Sequence, residues 1–471
     1  MRSAARKPSG TPAGKVGKAV RPVLATALSI AVLAGAVACG GPEGGGEDDK
    51  GAQDAGAQAA SGQVVKAAGA APKAQEGGAV KFEFEQGCKQ VKAALEGFLK
   101  KGLDSIGCWE SAKPPKPEVK SASEIASQAG RQCRVQPGRW FYTRTDACGR
   151  VSLTYTVIDL KTKRTTGRAV FTATQEIELD PKEHNGKASI KEGLWHTENT
   201  LRLDAASGSA RGLRASWKTT CSGGACAADN AWSGSVPISK GRVLDGATSH
   251  VWKGAVPVQS FRAKNTVTIL GAGQVLISPA WFAPPMKLRC DRTFGDSRYP
   301  SGKNVGCVFP QAVPTMKLPL RNAGQANVAW SMRNLKGHWG WQGRGKPLTR
   351  LADDDKSNAN RNKICQDGTF KADPQVPDDS CDEYPFAKTR QSGGQRKLAG
   401  KDCAEIRPHK ETSGSRKGQW TIYYVNNVTP SSECTIGHVP NKQNGSVGGS
   451  LSGFYQKQRV IDGEKFWISV G

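Results

Sequence analysis

Residues 378–387 read Asp-Asp-Ser-Cys-Asp-Glu-Tyr-Pro-Phe-Ala, so four carboxylates fall within six residues of an otherwise basic chain. Pro385 disfavours a helical conformation of the residue before it, and we therefore expect Asp382 and Glu383 on a strand or a turn. The repulsion between adjacent carboxylates is unfavourable unless a bound cation or a buried basic side chain offsets it. Mg²⁺ and Mn²⁺ are cations that prefer oxygen ligands. Spacing alone leaves a second interpretation open, an acidic loop held by disulfides.

A second polar segment lies further along the chain, where His438-Val439-Pro440 precedes a helix-like run. Asn444 stands near the start of that run, and two roles for it remain open. It is a good N-cap residue, or its amide oxygen binds a metal while the helix packs on two strands. The segment 459–470 is rich in apolar and aromatic residues and is predicted to close the domain as a strand.

These two segments resemble the bacterial NucA/NucB deoxyribonuclease family. The resemblance covers roughly residues 360–471 and rests on one continuous string and several spaced residues. They are Cys381-Asp382-Glu383-Tyr384-Pro385-Phe386-Ala387, Asn444 with Gly448, Phe454-Tyr455, Asp462-Gly463 and Phe466. Cys290-Asp291 and Gly306-Cys307-Val308-Phe309 are similar, more weakly, to a segment upstream of the nuclease in larger exported members.

The resemblance implies a small ββα-metal nuclease core that hydrolyses DNA with Mg²⁺ or Mn²⁺ as cofactor. In this scheme Asp382 stands where related ββα-metal nucleases carry a general-base histidine. Asn444 is the implied metal ligand. Glu383 is either a ligand through water or a support for Asp382. The resemblance therefore implies that the catalytic residues are these two carboxylates.

The sequence departs from the compact family pattern between Ala387 and His438, where two extra cysteines and a strand-like stretch, 420–425, are inserted. Lys442-Gln443 also stands in place of an expected acidic residue, so the second metal ligand stays unassigned. His438 is expected to be structural or a minor contact to substrate, because the resemblance already assigns the base to another residue.

Phosphodiester hydrolysis requires water to attack phosphorus in line while the charge on the leaving oxygen is stabilised. An aspartate is a weak base because its ordinary pKa is about 3.9. Asp382 therefore needs a raised pKa, which the neighbouring charge of Glu383 could supply. The candidate phosphate contacts, each of which is individually more often a plain surface charge, are Arg459, Lys457, Arg390 and Arg396.

The formal net charge of +26 favours a polyanionic partner. Composition does not choose between nucleic acid, an anionic membrane surface and teichoic-acid-like polymers, and a basic composition that only aids solubility is also compatible with it. With the family resemblance we expect DNA as the partner and no nucleotide cofactor. The oligomeric state is left open.

The first 38 residues have the pattern of an export signal. Six basic residues between Arg2 and Arg21 precede an apolar run, 23–38, and no acidic residue lies among them. The run is too short for a comfortable membrane span. Ala36-Val37-Ala38 fits ordinary signal cleavage, whereas the same residues before Cys39 resemble a lipoprotein box. We expect an extracellular or cell-surface protein, either secreted or anchored through lipidation of Cys39.

Thirteen cysteines are present, and twelve remain once Cys39 is set aside. An exported protein with an even number of cysteines is expected to form disulfides. Zinc is the rival, but the chain has no Cys-x-x-Cys pair and its histidines are scattered. The twelve come as close neighbours: Cys88 and Cys108, Cys133 and Cys148, Cys221 and Cys226, Cys290 and Cys307, Cys365 and Cys381, Cys403 and Cys434. The sequence does not fix their connectivity.

The predicted fold class is α+β, with a β-rich N-terminal module followed by a C-terminal ββα-metal-type nuclease domain. The predicted parts are an export signal (1–38), a flexible linker (39–80), a short helical segment (81–125), a β-rich module (126–285) and the nuclease domain (286–471, core 360–471). Alternating residues in the β-rich module indicate an antiparallel sandwich or barrel. Wall or carbohydrate binding and a purely structural role stay open for it. A helix is predicted at Ala323–Asn334, and 350–363 reads as a polar stretch.

Two other functions compete with the nuclease. A wall- or glycan-binding lipoprotein with an inactive nuclease-like domain would bind polyanions without depending on a metal. A peptidoglycan hydrolase that uses Asp382 and Glu383 as its acid–base pair is disfavoured, because adjacent residues on a strand point to opposite faces.

Overall fold

The fold is seen in a computed structural model, which describes residues 63–66, 68, 75–77, 82–84, 87–110, 133, 135, 137–179, 193–252, 256–271, 275–276, 279–295 and 303–471. The predicted export signal, the predicted lipidation site Cys39 and most of the predicted linker lie outside these residues. All described residues belong to one compact unit, Ala59–Gly471.

The described strands and helices are as follows. The strands are β1 (Gln63–Val64), β2 (Gln75–Gly77), β3 (Phe82–Phe84), β4 (Ser105–Glu110), β5 (Arg139–Tyr142), β6 (Asp146–Asp159), β7 (Thr165–Leu179), β8 (Gly193–Gly208), β9 (Arg214–Cys221), β10 (Asp229–Asn230), β11 (Val236–Pro237), β12 (Val243–Trp252), β13 (Val258–Phe261), β14 (Ala263–Leu270), β15 (Val275–Leu276), β16 (Ala280–Phe282), β17 (Leu288–Gly295), β18 (Lys303–Val308), β19 (Thr315–Leu318), β20 (Leu348–Thr349), β21 (Asp379–Tyr384), β22 (Ala404–Lys410), β23 (Trp420–Asn426), β24 (Thr435–Pro440) and β25 (Lys465–Val470). The helices are α1 (Cys88–Ala93), α2 (Leu95–Leu99), α3 (Ala323–Asn334), α4 (Asp354–Cys365) and α5 (Asn441–Lys457).

The N-terminal part is built from two sheets that share one apolar core. The larger runs β12-β8-β7-β6-β4-β15, and the second runs β10-β9-β14-β16-β3. Alternate residues of β6 are buried along most of its length, as expected for a strand with one face on a core. Large aromatic side chains fill this core, among them Trp109, Trp140, Trp195, Trp217 and Phe171. The strands of this part are thus held by the apolar faces that their alternation creates.

The first core extends further along the chain than residue 285. Leu288, Cys290, Cys307 and Phe309 are buried in it, and β17 pairs with β13 and β18. A second core gathers side chains from Met316 onwards together with Val65, Ala68 and Phe294. The segment around Cys290 therefore packs with the β-rich part, although its sequence was grouped with the nuclease.

The expectation of a ββα-metal-type C-terminal domain is wrong. The structure is β-rich and shows no clear ββα arrangement. Within the inserted segment, where only 420–425 was expected to be strand-like, residues 404–410 form β22 and residues 420–426 form β23. Both strands join a five-stranded sheet of order β1-β23-β22-β24-β21. β22 pairs in parallel with β24, so the strand that carries Asp382 becomes the edge of a mixed sheet. The compact family pattern lacks these inserted strands, so it could not predict their pairing with distant segments.

Part of the predicted linker joins this sheet. β1 runs antiparallel to β23, with Gln63 opposite Ile422, and Ala68 bridges to Val470. Trp330 and Tyr424 each donate a hydrogen bond to Oε1 of Gln63, at 3.0 and 2.9 Å. These residues are therefore an edge strand of the second part of the fold.

Two helices flank the strand that carries the acidic pair. The prediction of a helix at Ala323–Asn334 is confirmed by α3, whose Asn322 N-cap accepts from the Gln325 amide at 3.0 Å. The polar stretch 350–363 instead contains most of α4, capped by Asp353. This helix buries only Ser357, Asn360 and Ile364, so the sequence has almost no apolar periodicity there to predict it.

Six disulfides cross-link the described residues. They join Cys88 to Cys108, Cys133 to Cys148, Cys221 to Cys226, Cys290 to Cys307, Cys365 to Cys381 and Cys403 to Cys434. The prediction that the twelve cysteines form disulfides is confirmed, and each pairs with its sequence neighbour. Six disulfides are typical of a secreted or extracellular protein. In the described part of the chain, no helix has the length and apolar character needed to cross a membrane.

Candidate active site

Asp382 lies on the edge strand β21 with only 4 % of its surface exposed. The side-chain amide of Asn327, on α3, donates to its carboxylate Oδ2 at 3.1 Å and to its backbone carbonyl at 2.8 Å. The other carboxylate oxygen has no hydrogen bond to the protein among the described residues. One helix therefore holds this carboxylate in place while leaving it a free oxygen.

Two glycines make room for this arrangement. Gly437 is opposite Asp382 on β24, and a Cβ there would come within 2.6 Å of Cγ of Asn327. Gly324 lies on α3, where a Cβ would approach Oδ2 of Asp382 to 3.3 Å. Because a side chain at either position would press on the amide or the carboxylate, glycine is required for the contact.

Burial controls the protonation of the acidic pair. Loss of hydration on burial, followed by repulsion from Glu383, raises the pKa of Asp382 to about 8, although the hydrogen bond from Asn327 opposes the rise. Burial also raises the pKa of Glu383, against the attraction of Arg361. Charge alone predicted only the repulsion from Glu383, whereas desolvation is the larger cause of the raised pKa of Asp382.

Glu383 lies beside the Cys365–Cys381 disulfide. Its Oε1 is 3.6 Å from Nε of Arg361, which extends from α4. The two cysteine sulfurs and a Glu383 oxygen fall within 4.8 Å of one another, a spacing that suits a metal ion. Because both sulfurs are bonded to each other, neither is a thiolate ligand. Only the carboxylate of this group is available to a cation.

Asn444 lies one turn into α5, which begins at Asn441 after the N-cap Pro440. The N-cap interpretation of Asn444 is therefore wrong. Its side-chain nitrogen donates to Oγ of Ser380 at 3.2 Å and to the carbonyl of Cys381 at 3.0 Å. These two bonds fix the amide plane and leave the Oδ1 atom for another partner.

Gln443 stands where the family pattern predicted an acidic residue. Its Oε1 accepts a hydrogen bond from the backbone amide of Ala323 at 2.8 Å, which ties the start of α5 to the start of α3. This side chain is therefore used to join two helices.

A cavity of about 350 Å³ brings these groups together. Asp382, Glu383 and Asn444 all line it, together with the basic residues Arg350 and Arg361. The side chain of Phe294, from β17 of the β-rich part, forms another portion of its wall. The three site residues predicted on β21 and α5 thus share one cavity, and two arginines that the sequence did not single out join them.

His438 is held away from that cavity. It pairs with Cys381 across the sheet, one residue out of step with Asp382, so its side chain projects from the opposite face. Its ring nitrogens lie 2.6 Å from Oδ2 of Asp379 and 3.0 Å from Oε1 of Glu405, and the ring stacks on Phe370. Both nitrogens are occupied, which fits a structural role.

The predicted phosphate contacts occupy different environments. Arg459 is buried and donates to Oδ1 of Asp291 at 2.7 Å, so its guanidinium is not available to DNA in this structure. Arg390 is about half exposed and pairs with Asp462 at 2.8 Å. Arg396 is paired with Glu433. Lys457 is exposed at the end of α5. Arg459 was predicted to contact phosphate, but it is buried because its acidic partner lies in the β-rich part, more than 160 positions earlier in the chain.

The cavity therefore combines a buried carboxylate of raised pKa, a second carboxylate and two arginines, an arrangement that suits acid–base chemistry on an anion. Residues 341–469 match the family Deoxyribonuclease NucA/NucB. The resemblance is thus confirmed, and the C-terminal part of the chain is a NucA/NucB deoxyribonuclease domain, which implies DNA as its substrate. No curated protein matches the chain closely enough to add to this.

Sequence reasoning did not identify Asn327, Gly437 or Arg350 as site residues. Asn327 lies within a mostly apolar helix and resembles an ordinary helix residue until the fold brings it to Asp382. A polar residue on the buried face of a predicted helix was the available signal. For the other two residues, only the three-dimensional contacts identify a role.

Proposed function

We propose that the protein is an exported, metal-dependent DNA endonuclease that hydrolyses phosphodiester bonds in the cavity lined by Asp382, Glu383 and Asn444. The observation that carries the proposal is the buried Asp382 carboxylate, whose pKa is raised to about 8 in the wall of a cavity within a deoxyribonuclease domain. A carboxylate of ordinary pKa would be too weak a base near neutral pH.

The donor set of the cavity fits a hard divalent cation. Asp382 is buried and the side chain of Glu383 is 11 % exposed; the pKa of each carboxyl group is raised, and a bound cation would offset the cost of their desolvation. With the Oδ1 atom of Asn444 they offer the oxygen ligands that Mg²⁺ and Mn²⁺ prefer. We assign Asn444 as a ligand and Glu383 as a ligand through water or a support for its neighbour. When bound, Mg²⁺ or Mn²⁺ supplies Lewis-acid stabilisation of the charge on the phosphate and the leaving oxygen.

The protein residues divide the remaining work. Asp382, in its ionised form, accepts a proton from the attacking water through the oxygen that Asn327 leaves free. Asn327 keeps the carboxylate in one orientation, which raises the fraction of time it faces the water. Lys457 and Arg390 are exposed cations that contact phosphates on either side of the cleaved bond. The net charge of +26 draws DNA to the surface in a salt-dependent way.

Export accounts for the cross-links. Twelve cysteines paired in six disulfides persist only in an oxidising compartment. The basic and apolar residues before Cys39 have the pattern of a signal, and a lipidated Cys39 would keep the enzyme on the membrane surface. The enzyme then acts on DNA outside the cell or at its surface.

The purified, oxidised protein is expected to nick and then linearise supercoiled plasmid with Mg²⁺ or Mn²⁺, and to stop when EDTA is in excess. Plasmid binding in EDTA should persist and weaken with added salt, because it depends on surface cations. Gel analysis of cleavage and a filter-binding assay measure the two separately. Binding without cleavage under every metal condition would favour the glycan- or polyanion-binding alternative, and full cleavage in EDTA would remove the metal from the mechanism.

A further inference from the structure

Arg350 faces the same cavity as Asp382 but takes no part in the chemistry described so far. It follows β20, and its backbone is fixed by hydrogen bonds to Glu464 and Gly463 at 2.9 and 3.0 Å. One terminal nitrogen of its guanidinium donates to the carbonyl of Val460. The Nε atom is buried and has no hydrogen-bond partner. The backbone is thus rigid, while the donor capacity of the side chain is only partly used.

Two aromatic rings stack on the guanidinium group of Arg350 and fix its orientation. Its central carbon is 4.9 Å from the ring centre of Phe294 and 4.7 Å from that of Tyr455. Such cation–π contacts stabilise and orient an arginine, yet they do not neutralise its charge. Tyr455 belongs to α5 of the nuclease domain, whereas Phe294 belongs to β17 of the β-rich part. The arginine is therefore clamped between the two parts of the fold.

No carboxylate among the described residues forms an ion pair with Arg350. The three carboxylates with the strongest electrostatic effect on Arg350 each form an ion pair with another basic side chain. Asp462 pairs with Arg390 at 2.8 Å, and Asp354 pairs with Lys388 at 2.7 Å. Asp291 pairs with Arg459 at 2.7 Å. A partly buried cation without a counter-charge is unfavourable, and an anion that enters the cavity would relieve it.

Burial lowers the pKa of Arg350 from its ordinary value, which agrees with a desolvated cation. The guanidinium remains charged near neutral pH because its ordinary value is so high. Its planar fork matches two oxygens of a phosphate group, and the cavity already contains the groups proposed for phosphodiester hydrolysis.

We infer that Arg350 is the phosphate-binding residue of this cavity, holding the non-bridging oxygens of the phosphodiester to be cleaved, and that Phe294 of the β-rich part keeps it in position. The inference rests on the proposed function and adds the residue that recognises the substrate anion. It also gives the β-rich part a role in the nuclease site: that part supplies one face of the arginine clamp.

The test compares Arg350→Gln with Arg344→Gln in the full-length oxidised protein. Arg344 is a matched control because it is exposed, lies 4.9 Å from the ring centre of Trp341 and does not line the cavity. Both variants lose one positive charge; Arg350→Gln loses two cation–π contacts and Arg344→Gln loses one. Cleavage of plasmid and of bis(4-nitrophenyl) phosphate is measured, since the small diester reports on the cavity without contacts to flanking DNA.

Arg350→Gln is expected to lower kcat/KM for both substrates by about 10²-fold or more, the usual effect of removing a donor to transition-state charge. Arg344→Gln should stay within about threefold of the wild type on the small diester, since one exposed charge adds little there. Phe294→Leu should lose about tenfold, because the arginine remains but one stacking face is gone. Arg350→Gln within threefold of the wild type on both substrates would overturn the inference.

A binding readout separates this inference from the proposed function. Inorganic phosphate is expected to raise the Tm of the wild type and of Arg344→Gln but not of Arg350→Gln. If the wild type cleaves no DNA, the proposed function fails, yet loss of the phosphate effect in Arg350→Gln would still support the anion site. If inorganic phosphate raises the Tm of Arg350→Gln as much as that of Arg344→Gln, the inference that Arg350 binds phosphate is overturned. Should Arg350→Gln fold poorly, Arg350→Lys keeps the charge and should retain part of the phosphate effect with reduced kcat.

Discussion

Asp382→Asn is expected to reduce DNA cleavage by at least about 10²-fold, the order of a lost general base, and at the same time to make the protein more stable. The amide has nearly the shape of the carboxyl group, so the contact to Asn327 and the packing of β21 are retained. The water, however, loses the group that takes its proton. Single-turnover cleavage of a labelled duplex at saturating enzyme measures the catalytic loss apart from any change in binding.

The stability gain follows from the direction of the pKa shift. The folded protein raises the pKa of Asp382 from 3.8 to about 8, so the stabilisation associated with its protonated form is complete at low pH and is lost as pH rises toward 8. Asn cannot ionise, and the Tm advantage of the variant should grow from pH 4 to pH 8 and then level off. Asp378→Asn, an exposed carboxylate of the same segment, is the control and should show neither effect. A Tm difference that stays constant with pH would mean that Asp382 is not desolvated as described.

Asp291→Ala is expected to have the largest effect on stability. Asp291 is fully buried and accepts from Arg459 at 2.7 Å and from Arg289 at 3.0 Å, and both guanidinium groups are themselves only 3 % exposed. Removing the carboxylate deletes the anion that both buried guanidinium groups share, and loss of one partner of a buried ion pair typically costs about 3–5 kcal/mol. Urea denaturation should show the loss as a lower midpoint, and the Tm should fall by several degrees.

A double variant tests the physical cause of that loss. Arg459→Met in the Asp291→Ala background removes the buried positive charge and should recover part of the lost stability. If the two substitutions were independent packing defects, their losses in free energy of unfolding would add. Asp104→Ala, which breaks an exposed pair with Lys161, is the control and should leave the Tm unchanged. If the double variant is as unstable as the sum of the two single variants, the buried charge is not the cause.

Several features of the site could be predicted because they depend on local sequence. Pro385 predicted a strand or a turn at Asp382, which lies on β21, and the disulfide partners are neighbours along the chain. The helix predicted at Ala323–Asn334 has these boundaries in the structure, where Asn322 and Gln325 form a capping box at its start. A raised pKa for Asp382 was needed on chemical grounds, although burial, which sequence does not report, is its main cause.

Other features depend on contacts between distant segments. The insertion that became β22 and β23 changed the sheet from the expected small core into five strands, because its strands found partners in β24 and β1. Arg459 had every local sign of a surface cation, yet its acidic partner lies in β17. Asn327 acquires its role only where α3 packs on Asp382, and Arg350 only where the loop after β20 meets the cavity. Periodicity and spacing describe one segment at a time and cannot report such encounters.

If the ionised form of Asp382 takes the proton from water, the pH dependence of kcat/KM for DNA cleavage must follow the titration of this carboxyl group. With the metal saturating, kcat/KM is expected to rise about tenfold per pH unit and to level off at a pKa at or below about 8, since a bound cation lowers the pKa of a carboxylate. Asn327→Leu should move this limb to higher pH, because it removes the hydrogen bond that favours the ionised form. A limb that persists unchanged in Asp382→Asn, or that disappears only when His438 is replaced, would contradict the account.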